Sequence, residues 1–271
     1  MAEKIINAAD NPAMANDLIN QALASDTQTQ EPTILNPSSD TLVDLPGGYI
    51  KANGEVIKTA EVRELNGRDE EAIAKAGTLG KAFNLILSRA VVKIGEMTAT
   101  EEMLDELLAG DRDALMLGIY RATFGPVTEL VGYSESSSEL KTIEVNIDED
   151  IKVKVMADPL NDRAFKVLGR NHTYLVTLPT GKTQKELAQF ADKTGPELTT
   201  ILLENTVLEI DDKPVISKIQ VQSIGMGDRR KISEEMAKRA PGPQFDDIRI
   251  NDPEGDGEVV VPLNLGTLFR F

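Results

Sequence analysis

The chain has 271 residues, and its 29 Lys and Arg stand against 45 Asp and Glu for a formal charge of −16. With no Cys, no Trp and a single His, it excludes disulfides, thiolate metal sites, thiol nucleophiles and His-rich zinc sites. An isoelectric point near 4.6 speaks against bulk affinity for phosphate backbones or anionic lipid, so neither nucleic acid nor membrane is an expected partner.

Residues 1–46 read as an extended acidic arm. The opening MAEKIINAADNPAMAND lacks a basic region followed by an apolar core, so it is not a secretory signal. Its apolar spacing suits a short amphipathic helix broken at Pro12. No stretch of the chain approaches the roughly 20 apolar residues of a membrane span. Residues 24–44 are polar and contain proline, and seven acidic residues among the first fifty oppose Lys4 alone. On composition alone that is a disordered tail, and a tail of this composition found ordered is one clamped by a partner. Its apolar anchors Ile34, Leu35, Leu42 and Leu45 are candidates for a partner's grooves or sheet edge.

Beyond the arm the chain repeats itself. GDRDALMLGIYRATFGP (110–126) and GDRRKISEEMAKRAPGP (227–243) share both ends at identical spacing, 117 residues apart. LILSRAVVKI (85–94) lies over ILLENTVLEI (201–210) at an offset of 116, and further upstream Glu70 aligns with Glu186. Self-similarity at a fixed distance marks a duplicated unit, with copies at 47–160 and 161–271.

Each copy predicts the same elements in order. A strand covers 56–65 or 172–178, where β-branched and polar residues alternate. After a turn at Gly67 or Gly181, Asp69 or Thr183 caps a first helix over 70–76 or 184–192. A second helix covers 79–94 or 196–206, with Pro196 in its first turn. Gly-Asp-Arg opens the next helix, placing Asp111 and Asp228 at its N-cap or first turn. Its apolar face is Leu115, Met116, Ile119 and Tyr120 in one copy, and Ile232, Met236 and Ala240 in the other. Gly125-Pro126 and Gly242-Pro243 end it. Two-stranded ribbons follow at 128–148 and 245–265, turning at SESSS and NDPEGDG. The expected fold class is α+β, an internally duplicated unit with an N-terminal arm.

Little of this sequence asks for chemistry. The Asp-Arg pair recurs at the same helical start in both copies, as architecture demands, whereas a catalytic pair needs to survive in only one. The acidic turn 251–258 lacks the spaced carboxylates of a calcium loop. Pro179-Thr-Gly-Lys182 has Val176 where a phosphate loop needs its first glycine. His172 has no marked nucleophile beside it; a hydrolase using it with a nearby Ser or Asp is the enzymatic alternative. No catalytic, metal or cofactor-binding residue and no small-molecule substrate is assigned. At the other end Leu268, Phe269 and Phe271 form an aromatic terminus suited to docking into the chain's own core or a partner's groove.

Gly67-Arg-Asp-Glu-Glu71, Gly110-Asp-Arg112, Phe124-Gly-Pro126 and the closing Leu268-Phe269-Arg270, in that order and duplicated, resemble the tailed-phage base-plate family related to a T4-type hub or hub-assembly component. The resemblance covers about residues 45–271. It implies a structural or assembly protein of the tail base plate, assembled in the host cytoplasm, whose partners are other tail proteins or copies of itself. A transient assembly chaperone absent from the finished virion and a non-viral adaptor are the alternatives. Relatives commonly carry Cys-x-x-Cys zinc knuckles in the ribbons. Here Ser134, Glu135, Ser136 and Ser137 stand in the first turn and Asn251, Asp252, Pro253 and Glu254 in the second, so metal binding does not carry over.

Overall fold

The structure is a computed structural model, and it describes residues 41–134, 139–190, 192–245, 247–251 and 257–269. The first copy begins with the hairpin β1 (Leu42–Ile50) and β2 (Val56–Val62). It continues through α1 (Gly67–Ala74), α2 (Leu79–Ala90), β3 (Val91–Ile94), β4 (Met97–Thr98), α3 (Glu101–Glu106) and α4 (Ala109–Phe124) to the ribbon β5 (Val127–Ser134) and β6 (Leu140–Asn146). A connection containing α5 (Ile147–Asp150) and β7 (Val153–Lys154) leads to the second copy. There the order recurs: β8 (Ala164–Leu168), β9 (Thr173–Thr177), α6 (Gly181–Gln189), α7 (Gly195–Thr206), β10 (Val207–Ile210), β11 (Lys213–Pro214), α8 (Lys218–Gln222) and α9 (Met226–Arg239). Then come β12 (Gly242–Pro243), the ribbon β13 (Ile248–Asn251) and β14 (Glu258–Val261), and a closing α10 (Leu265–Phe269).

The fold is α+β and the duplication holds element by element. One sheet runs β1-β2-β3-β4 and the other β8-β9-β10-β11, all antiparallel. Matching rungs are Val43, Ala60 and Ile94 in the first and Val167, Tyr174 and Ile210 in the second. This register corrects the alignment of the opening helices. Residues 60 and 174 are counterparts, an offset of 114, so Glu70 corresponds to Gln184 and not to Glu186.

Local chemistry explains three further departures from the sequence reading. The caps are Asn66 and Thr180; Asp69 and Thr183 sit at the third helical position and reach back to the cap amides in reciprocal capping boxes. The second helix of the first copy stops at Ala90, because Val91–Ile94 supplies the β-branched rung that β2 needs. The assignment of residues up to 46 to an arm also fails at its inner end. Leu42–Ile50 pairs with β2, and its Val43 and Leu45 are buried beside Leu115 and Ile119. A truncation at residue 44 would therefore cut into the first sheet.

The two ribbons form a single sheet, order β13-β14-β5-β6, in which Val260 of the second copy pairs with Tyr133 of the first. Tyr120, Leu130, Ile143, Val145, Val259 and Val261 bury the inner face of this sheet with Leu268. Elsewhere the copies approach closely enough to require glycine. A Cβ on Gly110 would lie 1.8 Å from Pro241 O, and one on Gly181 would lie 2.3 Å from Leu104 O.

Candidate functional site

The Gly-Asp-Arg helix starts are polar sites that both copies use alike. Residues 110–112 open α4 and 227–229 open α9, neither with a side-chain cap from the preceding residue. Each Asp occupies the third helical position and ties down its copy's first hairpin. Asp111 Oδ1 accepts from the Gly47 amide at 2.6 Å, and Asp228 accepts from the Arg170 amide and the Tyr174 hydroxyl, each at 2.9 Å. Burial pushes the Asp111 carboxyl up, while the Arg170 amide, then the Tyr174 hydroxyl, hold Asp228 below the usual carboxylate range.

Each Arg closes the short helix before it. Arg112 is buried, and it donates to Leu104 O at 2.9 Å, Asn84 Oδ1 at 2.5 Å and Gln184 Oε1 at 2.7 Å. Arg229 donates to Val221 O at 3.4 Å and Thr200 Oγ1 at 2.8 Å. Leu104 and Val221 are 117 residues apart and Asn84 and Thr200 are 116 apart, so these are the same bonds made twice. The four residues that looked most like chemistry are committed to backbone and side chains of their own fold.

His172 lines a cleft of about 730 Å³ with Tyr174, Asp211, Ser223 and Asp228. Its Nδ1 is 2.6 Å from Asp211 Oδ2, which the turn between β10 and β11 presents with a positive φ of 52°. The His172 hydrogen bond, then the Thr173 amide, lower the Asp211 carboxyl. Ser223, the hydroxyl nearest in kind to a nucleophile, donates to Gln220 O at 2.6 Å instead. At the other glycine-lysine segment, the Gly181 amide donates to Leu107 O at 2.9 Å, which places first-copy backbone where a phosphate would bind. No cluster of three or more metal-ligating side chains occurs among the described residues. No helix among them is long and apolar enough to cross a membrane.

The candidate partner-binding residues separate. Leu42 is 60% exposed on β1, beside a groove of about 420 Å³ lined also by Leu117, Arg121, Ile151 and Val155. Leu45 is a correction: at 2% exposure it is a core residue and unavailable to a partner. Leu268 is buried in the ribbon core, and Phe269 packs edge-on to Tyr120 at 5.4 Å, so this terminus docks on its own protein. Ile34, Leu35 and Phe271 lie outside the described residues, as do most of the two ribbon turns.

Sequence reasoning missed the apolar surface that is exposed. Ile216, Ile219 and Met226 are 85%, 76% and 88% exposed around α8 and the start of α9, and Phe124 is 61% exposed at the end of α4. Around α8 they are interleaved with Val215, Val221 and Ile224, of which Val221 and Ile224 are buried, and periodicity does not tell the two sets apart. The chain matches no protein-family model, no curated protein and no solved structure.

Proposed function

We propose that this protein is a structural or assembly component of a phage tail base plate, of the hub region, and that it acts by binding proteins. The observation that carries the binding reading is the double use of Gly-Asp-Arg. Side chains that could have done chemistry hold the fold together in both copies, while large apolar side chains stand in solvent around α8 and at Phe124. The tail assignment rests on the order of the motifs at Gly67-Arg-Asp-Glu-Glu71, Gly110-Asp-Arg112 and Phe124-Gly-Pro126. Its partners are then other tail proteins and copies of itself, and its place is the virion.

Mass spectrometry of purified particles from the organism that carries the gene tests this reading. Recovery in a fixed ratio to tube and sheath subunits supports a structural component. Absence from finished particles, together with loss of base plates when the gene is deleted, points to the assembly chaperone. Normal base plates after deletion would overturn both.

A further inference from the structure

The contact between the two copies is head-to-tail. The end of the first copy formed by α2, α3 and the start of α4 receives α6 of the second, β5 receives β14, and Gly110 receives Pro241 and Gly242. Such a contact uses two different surfaces, so the second copy still presents the receiving surface and the first copy the inserting one. We propose that a second molecule of this chain docks there, the first copy of one onto the second copy of the other, repeating the internal contact. This inference rests on the duplication and stands whether or not the protein belongs to a tail.

Glycines mark both unused surfaces. Gly110 and Gly181 are required inside the molecule because each faces backbone of the other copy. Their counterparts are Gly227 on the receiving side and Gly67 on the inserting side. Neither has a positive φ, and among the described residues neither has an atom within 4 Å of where a Cβ would stand. Nothing among the described residues of one molecule calls for glycine at these helix starts, where it is a poor helix former. A neighbour approaching as Pro241 approaches Gly110 calls for it at both.

Charges carry over at two of the internal contacts, one pair exchanged in sign, while the contact of Lys185 with Asp105 at 2.7 Å has uncharged Gln222 as its counterpart. Inside the molecule Lys185 pairs with Glu101 at 2.6 Å and Arg112 bonds Gln184 at 2.7 Å. The counterparts are Glu71 for Lys185, Lys218 for Glu101, Arg229 for Arg112 and Glu70 for Gln184. Docking therefore sets Glu71 of one molecule against Lys218 of the next, and Glu70 against Arg229. Both Glu70 and Glu71 are exposed, and neither has an ion-pair partner among the described residues.

The shared sheet extends in the same way. Its outer strands are β13 and β6, and the pairing of Tyr133 with Val260 transfers to Asn251 with Thr142 of the next molecule. That register places Ile248 opposite Val145 and Ile250 opposite Ile143, apolar face on apolar face. It also places Arg249, which pairs with Glu258 in its own ribbon at 3.2 Å, opposite Glu144 of the next molecule, opposite charges across the new strand pair. Directions alternate throughout, so the new pairing is antiparallel like the internal one. Phe124, the counterpart of Pro241, would lie against Gly227 and lose its exposure. Repetition of the step closes a ring or runs on as a helix, depending on the rotation between copies.

Sedimentation velocity of the full chain over a concentration series tests the proposal. The wild type is expected to form concentration-dependent oligomers. Gly227→Leu, which meets no described atom in the isolated molecule, should melt no lower than the wild type and sediment as a monomer. Lys218→Glu should weaken association about tenfold or more, Glu71→Lys likewise, and the double exchange should restore it; this arm does not depend on the behaviour of the glycine variant. A wild type that stays monomeric at every soluble concentration overturns the proposal. So does association that survives Gly227→Leu, or charge variants that fail to rescue one another.

Discussion

Arg112 and Arg229 each send a guanidinium nitrogen to the carbonyl eight residues back, at Leu104 and Val221, and thereby close the carboxyl ends of two short helices 117 residues apart. Those carbonyls have few helical partners of their own, so a fixed cation completes them. The two arginines differ in what else depends on them. Arg112 also spans to Gln184 in the other copy and is buried, whereas Arg229 bonds only within its own copy and is half-buried.

The substitution Arg112→Ala should therefore cost about 3 kcal/mol in urea unfolding, since it strands a buried carbonyl and two side-chain amides that have lost a charged donor. Arg229→Ala should cost about 1 kcal/mol by the same measurement. Equal losses would show that the bond from α4 to the second copy contributes nothing.

Glycine variants at equivalent places should move in opposite directions. Gly110→Ala forces a Cβ into Pro241 O, 1.8 Å away, and should destabilise by about 3 kcal/mol or more. Gly227→Ala meets no atom within 4 Å and should raise stability by up to about 1 kcal/mol through helix propensity. Thermal melts of the two variants side by side decide this, at a concentration low enough to keep the protein monomeric.

A buried and a half-buried carboxyl, Asp69 and Asp113, should give opposite pH signatures. The Arg63 guanidinium, with Arg89 and the Asn66 amide, holds Asp69 well below the usual carboxylate range. Its contribution is present above the unfolded value of about 3.9 and fades as pH falls below that. Asp69→Asn should thus lose about 2 kcal/mol at pH 7 and approach wild-type stability in acid. Asp113 is pushed up to about 6, chiefly by burial, so the folded state resists its ionisation. Wild-type stability pays that penalty increasingly between pH about 4 and 6 and fully above it. Asp113→Asn should therefore be the more stable protein at pH 7.5, by about 1 kcal/mol, and equal to wild type below pH 4. Denaturant midpoints across pH 3–8 would reverse the assignment if the two variants shifted in the same direction.

The duplication was legible because its markers answer hard constraints. Gly125 and Gly242 take positive φ at helix ends, and the Asp and Arg beside Gly110 and Gly227 make fixed bonds, so these few positions cannot drift. Soft positions misled. Val91–Ile94 continues the apolar run of α2, and a short buried strand cannot be told from a helix by periodicity. Asn66 and Asp69 can both cap, and only geometry shows which does. β1 carries Pro46, Gly47 and Gly48 at a bulge, which reads as arm composition. Contacts between copies left no local trace at all. The reason for Gly110 lies at Pro241, and only coordinates bring the two together.

Ala90 leaves α2 and Val91 enters the sheet with no residue between them, and Thr206 and Val207 repeat the arrangement. Side chains alternate along a strand, so one amino acid added at the Ala90–Val91 junction would turn Lys93 inward and expel its apolar neighbours. The same addition at the Asn53-Gly54 bend disturbs nothing buried. Added residues are thus expected to be tolerated at the bends and not at the helix-to-strand joints, which act as fixed rulers for both halves.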